Sequence, residues 1–321
     1  ENFPPAAKEK HPMKHRKGDP VNGWLVIDKP EGMGSTEVVN LTRRLLNAQK
    51  NGHTGTLDPF ASGILPIAFG ETTKLIDFLG DETKEYEFTV QWGTETDSAD
   101  SDGSITADNG RIPADEEILA VLPQFCGEIT QTPPAFCAVK INGRRAYELA
   151  RKGEEVNIPE RQITVYELEF TGSLPGGRSS FKVRCSKGTY VRSLGRDIAR
   201  RLGTFGHLCR LRRTRSGIFD ESAKILLETL QNVVYVDERK RFLLPSETSL
   251  RDIAVMAVSE AEAAKLLHGQ ALSPKSREHS FSVGQTVAAV CEGRLAAMLR
   301  IEETRFSPVR VFNFNQEKKE K

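Results

Sequence analysis

The sequence lacks long apolar runs, paired cysteines and an apolar leader segment. No stretch approaches the roughly 18 to 20 apolar residues that a membrane-spanning helix needs. The first residues are polar and basic, without the apolar core of a signal peptide. The five cysteines are scattered and form no CxxC pattern, which disfavours a disulfide framework and a zinc cluster. These absences predict a cytoplasmic protein that does not associate with a membrane.

Charge is distributed unevenly along a chain whose net charge is only +1. Residues 178–215 contain twelve Lys or Arg and one acid, Asp197, whereas residues 81–117 contain twelve acids and two bases. A dense basic block in a nearly neutral chain indicates a surface that attracts nucleic acid. The alternative is a solvated, helix-rich stretch. Arginine predominates in the block, which favours contacts with phosphates and bases.

The length and the hydrophobic pattern predict two folded units between polar ends, because 321 residues are typical of about two domains. The predicted units are a disordered basic segment at residues 1–20, a main domain at 21–246, a small β-rich domain at 247–314 and a frayed tail at 315–321.

Local patterns predict individual elements within these units. "GWLVIDKP" predicts a buried strand that ends at a proline, followed by a helix capped by Ser35 or Thr36. "RSLGRDIARRLG" predicts a helix with Leu194, Ile198 and Leu202 on one apolar stripe. "EGR" at residues 292–294 predicts a hairpin turn between two strands.

The segment "GHTGTLDPFASGILPIAFG" (residues 52–70) contains a single acid, Asp58. An Asp-Pro turn accounts for such a segment without any activity. Its small residues would also let the backbone pass close to a ligand. Glycosidase chemistry needs two acids, and a metal site needs further ligands. A lone carboxylate is therefore suited to nucleophilic or general-base chemistry, with a cation that keeps it ionised.

This segment and three others resemble, in the same order, the motifs of the TruB family of tRNA pseudouridine synthases. The other three are "DKPEGMGS", "KEYEFTVQWGTETDSADSDG" and "CSKGTYVRSLGRDIARRLG". The resemblance covers about residues 21–245, with weaker similarity to residue 314. It implies an α+β fold with a mixed, largely antiparallel sheet, helices and a central cleft. It also implies a small β-rich C-terminal RNA-binding domain related to the PUA type.

The resemblance implies a role for each matching residue. Asp58 becomes the catalytic aspartate, Tyr86 the tyrosine that stacks on the target base, and Arg192 the arginine that pairs with the aspartate. His53 matches the histidine that meets the RNA where the base leaves its stack. The residues implied to line the uracil pocket are Tyr190, Leu211, Lys29 and Pro30.

Residues 133–156 resemble the family's thumb insertion, which is expected to be mobile without RNA and to close on it. The basic residues expected along the RNA backbone are Lys140, Arg144, Arg145, Arg151 and Lys152. An exposed, charged helix is the simpler alternative.

Neither a metal nor a cofactor is expected. The acidic run at residues 94–103 lacks the glutamate that closes an EF-hand loop, so it is interpreted as a solvated turn. His53 has no second histidine or cysteine at ligand spacing. The implied isomerisation neither oxidises the substrate nor adds a group to it.

The resemblance thus implies a stand-alone tRNA pseudouridine synthase that acts on the uridine at position 55, in the TΨC loop. Its expected partner is the TΨC arm of tRNA, with no obligate protein partner and a monomeric state. One alternative is a guide-dependent synthase of a ribonucleoprotein, which the short C-terminal segment disfavours. The other is a tRNA-folding, RNA-binding protein, which the intact Asp58, Tyr86 and Arg192 disfavour.

Overall fold

The computed structural model describes residues 18–137, 139–141, 143–150, 157–274 and 281–314. Within these ranges the strands are β1 (Gly23–Lys29), β2 (Asn51–His53), β3 (Ser62–Phe69), β4 (Lys84–Trp92), β5 (Thr94–Thr96), β6 (Ile105–Asp108), β7 (Gly127–Gln131), β8 (Lys140–Ile141), β9 (Arg144–Arg145), β10 (Arg161–Leu174), β11 (Arg178–Cys185), β12 (Gly206–Ser216), β13 (Phe219–Asp220), β14 (Ile225–Leu226), β15 (Val255–Ala257), β16 (Thr286–Cys291), β17 (Arg294–Ile301) and β18 (Phe306–Val311).

The α-helices are α1 (Ser35–Leu45), α2 (Asp115–Val121), α3 (Ala146–Ala150), α4 (Val191–Arg201), α5 (Leu227–Asn232), α6 (Val236–Lys240) and α7 (Glu260–Leu267). Short 3₁₀ helices lie at Gly70–Phe78, Leu122–Phe125, Glu221–Ala223 and Ser246–Leu250. No helix in the described ranges combines the length and the apolar character required to cross a membrane.

A ten-stranded sheet forms the body of the protein. Eight strands lie in the order β14-β1-β3-β12-β4-β11-β10-β7, with β2 beside β3 and β13 beside β12. β1 is parallel to β14 and β12 is parallel to β3, whereas the neighbours along β4, β11 and β10 are antiparallel. The predicted mixed, largely antiparallel sheet is confirmed.

The first strand and helix form where the sequence predicts them, but the helix cap differs. β1 is almost entirely buried, and α1 begins at Ser35. The capping residue is Gly34, which has no side chain, so the prediction of Ser35 or Thr36 as the cap is wrong. Ser35 instead donates its hydroxyl to the carbonyl of Leu57 and accepts from the Leu57 amide, at 2.7 and 2.8 Å. This side chain therefore holds the residue that precedes Asp58.

Helix α4 packs on the main sheet through the predicted apolar stripe. Leu194 and Ile198 are fully buried in the same core as Leu208 of β12. Gly195 allows this close packing, because a Cβ there would lie 2.4 Å from a Leu208 methyl group. The helix begins beside Tyr190, so its first turn carries Arg192 into the protein interior.

A second, four-stranded sheet, β15-β16-β17-β18, lies towards the C-terminus. The predicted hairpin turn is confirmed, since Glu292 and Gly293 both have positive φ between β16 and β17. This sheet packs against the main body through Trp24, Met298 and Phe312.

The polar ends fall largely outside the described residues. These include residues 1–17 of the predicted disordered segment and the whole predicted tail. Asp19 belongs to the folded part, because its amide donates to the carbonyl of Asn47 at 2.6 Å.

Candidate active site

Asp58 lies in the connection from β2 to β3, where it lines a cavity of about 250 Å³. Five of the residues implied by the sequence motifs come together there: Asp58, Tyr86, Tyr190, Arg192 and Leu211. They come from distant parts of the chain, namely the β2–β3 connection, β4, the start of α4 and β12. The fold therefore gathers the sequence motifs around one carboxylate.

Arg192 connects two carboxylates beneath this cavity. Its Nη2 lies 2.8 Å from Asp58 Oδ2, and its Nη1 lies 3.0 Å from Asp100 Oδ2. The guanidinium also donates to the carbonyls of Ser98 and Phe136, each at 2.8 Å. The Arg192 and Asp100 side chains are 3% and 5% exposed, whereas that of Asp58 is 35% exposed. Asp58 thus faces the cavity, and Asp100 holds the arginine from behind.

The interpretation of residues 94–103 as a solvated turn is wrong for Asp100. This residue is buried and forms an isolated bridge with Leu208 of β12, which draws the turn onto the main sheet. Nothing in the acidic run distinguishes Asp100 from its neighbours Asp97 and Asp102, so the sequence carries no signal for its role. Among the residues that the structure describes, no three His, Cys, Asp or Glu side chains group as metal ligands.

Burial and Arg192 have opposite effects on the Asp58 carboxyl. Burial raises the pKa of Asp58, and the nearby Asp100 carboxylate raises it further. The Arg192 guanidinium opposes both through its charge and its hydrogen bond. The site therefore combines an unusually basic carboxylate with the cation that stabilises its ionised form.

Tyr86 lies opposite Arg213 in the pairing of β4 with β12. The Tyr86 side chain is buried, which raises the pKa of its phenol, and the nearby Arg213 charge opposes this rise. Arg213 is almost fully buried and donates to the carbonyls of Ile64 and Gly55 at 2.8 and 3.1 Å. It therefore connects the tyrosine strand with the Asp58 segment.

Sequence reasoning did not identify Arg213, because it is one of several arginines in the run "RLRRTR". The alternation of a strand offers a partial signal, since Leu211 and Arg213 are two residues apart and share one face. The approach of β3 to Arg213 depends on Gly63, which has φ of 106°. A Cβ at Gly63 would lie 2.2 Å from the Arg213 carbonyl oxygen.

Tyr190 is fixed at the cavity by its backbone and by its ring. Gln131 accepts from the Tyr190 amide and donates to its carbonyl, at 2.8 and 3.1 Å. The guanidinium carbon of Arg161 lies 5.4 Å from the centre of the Tyr190 ring. Burial raises the pKa of Tyr190 to about 12, so the phenol is neutral at physiological pH.

Lys29, Pro30 and His53 are near the cavity without lining it. Lys29 is fully buried, and its Nζ donates to the carbonyls of Pro30, Met33 and Pro59. Burial lowers the pKa of Lys29 to about 8. Pro30 is exposed, and His53 is half-buried at the end of β2, next to the cavity-lining Thr54. Lys29 therefore connects the β1–α1 loop, which contains Pro30 and Met33, with the β2–β3 connection, in which Pro59 follows Asp58.

The predicted thumb at residues 133–156 lies partly outside the described residues, since 138, 142 and 151–156 are not covered. Lys140 belongs to β8 and pairs through its backbone with Arg145 of β9. Cys137 and Ala146 form a small apolar cluster that contacts Tyr190. The insertion thus packs beside the cavity, and its contact with RNA stays a prediction.

Family models match most of the main body. The model described as TruB family pseudouridylate synthase (N terminal domain) matches residues 43–191. The model described as tRNA pseudouridylate synthase B C-terminal domain matches residues 192–251. Their junction falls at the start of α4, inside the main body.

Curated relatives share this similarity along nearly the whole chain. The tRNA pseudouridine synthase B of Caulobacter vibrioides is 43% identical over 305 residues, covering 93% of this chain and 98% of the relative. The tRNA pseudouridine synthase B of Rhodopseudomonas palustris is 47% identical over 298 residues, covering 91% of this chain and 81% of the relative.

Solved structures share the fold at lower sequence identity. A chain of a Cbf5-Nop10-Gar1 complex is 27% identical with a TM-score of 0.67, covering 91% of this chain and 84% of that one. A chain of an H/ACA RNP bound to a substrate RNA containing 2'-deoxyuridine is 24% identical with a TM-score of 0.68, covering 95% and 92%. The second similarity concerns the fold alone.

Proposed function

Because the chain belongs to the TruB family of pseudouridine synthases, we propose that it isomerises the uridine at position 55 of tRNA, in the TΨC loop, to pseudouridine. The observation that carries this proposal is the Asp58–Arg192 ion pair of 2.8 Å in a cavity that Tyr86 and Leu211 also line. The curated relatives are named tRNA pseudouridine synthase B, which supports the reaction class and the tRNA substrate.

The reaction needs one reactive carboxylate and no added reagent. The N1–C1′ bond of uridine breaks and a C5–C1′ bond forms, while C5 loses a proton and N1 gains one. Asp58 is the reacting group, as nucleophile or base. Arg192 opposes the protonation that burial would favour and keeps Asp58 anionic.

A base in a folded RNA loop reaches this cavity only after it leaves its stack. Tyr86 then provides an uncharged aromatic surface for the uracil ring, and Leu211 provides an apolar contact. His53, beside the cavity, contacts the RNA at the point of flipping. The basic block at residues 178–215 binds the backbone of the TΨC arm, so affinity falls as salt rises.

The direct test maps pseudouridine to the nucleotide in an unmodified tRNA transcript incubated with the purified chain alone. We expect conversion at position 55 and none in a transcript with cytidine at that position. Conversion without guide RNA or a second protein would support a stand-alone, cofactor-free enzyme. Tight, salt-sensitive binding without conversion would contradict the proposal and favour the guide-dependent or RNA-folding alternative.

The raised pKa of Asp58 predicts a pH dependence of the reaction. Because the carboxylate is the reacting form, the single-turnover rate should fall as pH decreases through this raised pKa. The acid limb should therefore lie above the ordinary aspartate value of about 3.9. Binding of tRNA to the Asp58→Asn chain over the same pH range controls for unfolding. A rate that stays constant down to about pH 4.5 would contradict this account.

A further inference from the structure

Positively charged side chains outnumber negatively charged ones in the lining of the active cavity. The charged residues of this lining are Asp58, Lys84, Lys187, Arg192 and Arg213. Asp58 is paired with Arg192, and Lys187 lies 2.5 Å from Glu82. Arg213 donates to backbone carbonyls, and Lys84 makes no side-chain hydrogen bond or ion pair within the described part of the chain. Within the described residues, Lys84 and Arg213 therefore remain without a carboxylate partner.

These two cations lie close together on one face of the sheet. Lys84 and Tyr86 are two residues apart on β4, so their side chains share a face, and Arg213 is the cross-strand partner of Tyr86. A Cβ at Gly55 would lie 3.6 Å from Arg213 Nη1 and 4.0 Å from Lys84 Cε. Burial and the Arg213 charge lower the pKa of Lys84 to about 8. The ammonium group thus lies in an environment that disfavours its own charge.

An anion in the cavity would offset this cost, because an opposite charge stabilises a partly buried cation. The uracil of the proposed substrate is neutral, and the anionic part of a nucleotide is its phosphate. We propose that Lys84 binds an RNA backbone phosphate adjacent to the target uridine, with Arg213 adding positive charge behind it. This inference rests on the proposed function and assigns a phosphate subsite to the same cavity.

Two of the three acids near Lys84 have other partners. A second cavity of about 190 Å³ shares Lys84 with the first and is also lined by Asp77, Asp81 and Glu82. Asp81 accepts from the amide and the hydroxyl of Thr83, and Glu82 pairs with Lys187. Asp77 and Asp81 would repel a phosphate, whereas the Asp58 carboxylate is paired with Arg192, so the subsite lies on the Asp58 side of Lys84.

The test compares Lys84→Met, Lys84→Arg and Lys240→Met, each in the Asp58→Asn background so that binding is measured without turnover. Lys240 is the control, because it lies on α6, outside both the basic block at residues 178–215 and the cavity, and its Nζ pairs with Asp237 at 3.0 Å. A T-arm stem-loop RNA is titrated at several salt concentrations. We expect Lys84→Met to weaken binding about tenfold and to reduce the salt slope by about one. Lys84→Arg and Lys240→Met should bind like the parent.

A second measurement locates the contact. Neutral methylphosphonates replace, one at a time, the phosphates on either side of the target uridine. We expect one replacement to weaken RNA binding by the parent but not by Lys84→Met. This non-additivity is expected when Lys84 and the replaced phosphate contact each other. The proposal would be overturned if each methylphosphonate weakened binding equally in the parent and in Lys84→Met. It would also be overturned if Lys84→Met kept the salt slope of the parent while its circular dichroism spectrum showed a folded protein. Because binding is scored apart from conversion, a wild-type chain that fails to convert tRNA would overturn the proposed function alone.

Discussion

Replacing Asp58 by Asn is expected to abolish pseudouridine formation while tRNA binding stays within a few-fold of wild type. Asparagine preserves the size of the side chain and still offers an oxygen to Arg192, whose Nη2 lies 2.8 Å from the present carboxylate. It cannot act as a nucleophile or a base at neutral pH. Removal of a reacting group costs on the order of 10⁴-fold or more in rate. Single-turnover conversion of an unmodified tRNA transcript measures the loss.

Asp237→Asn is the matched control for this substitution. The Asp237 side chain is 93% exposed on α6 and pairs with Lys240, away from the cavity. We expect it to retain wild-type conversion. Residual conversion by Asp58→Asn within about tenfold of wild type would show that another group does the chemistry. A parallel loss of tRNA binding would show that Asp58 acts in binding and not in the reaction.

Replacing Arg192 by Met is expected to cost both activity and stability. The substitution leaves the Asp100 carboxylate buried without its cation, and it removes the partner that keeps Asp58 ionised. Breaking a buried ion pair from one side costs about 3 to 5 kcal/mol in the free energy of unfolding. Urea unfolding at neutral pH measures this loss, and single-turnover conversion measures the effect on Asp58.

A second arginine of the same helix provides the control. Arg200 pairs with Glu95 at 2.7 Å, but its side chain is 55% exposed, so Arg200→Met should cost less than about 1 kcal/mol. Combining Arg192→Met with Asp100→Asn removes the unpaired buried charge. The double variant should therefore be more stable than the sum of the two single effects predicts. If the two losses in the free energy of unfolding were strictly additive, the Asp100–Arg192 ion pair would make no contribution to stability.

The overall architecture could be predicted to a useful extent because its signals are local. The buried run of β1, the apolar stripe of α4 and the turn residues Glu292 and Gly293 all produced the elements expected of them. The cap of α1 was not predictable in this way. Ser35 has the chemistry of a capping residue, but its hydroxyl bonds to Leu57, which is distant along the chain.

Site residues could be predicted from the sequence where their type is unusual in the surrounding segment. Asp58 stands alone among small and apolar residues, and the motifs around Tyr86 and Arg192 single out those positions. Asp100, Arg213 and Gln131 were not found, because an acid in an acidic run, an arginine in a basic run and a glutamine at a strand end give no local signal. Each joins the candidate site through a partner that lies 59 to 149 residues away along the chain.

The sequence by itself determined the element pattern, the family motifs and the presence of one isolated carboxylate, because these depend on residue identity and short-range spacing. Only the tertiary structure decided which charges meet. It buried Asp100 behind Arg192, connected Arg213 to Tyr86 and the Asp58 segment, and left Lys84 without a carboxylate partner in the described part of the chain. The physical reason is that the energy of a charge depends on its burial and its nearest opposite charge, which chain folding alone sets.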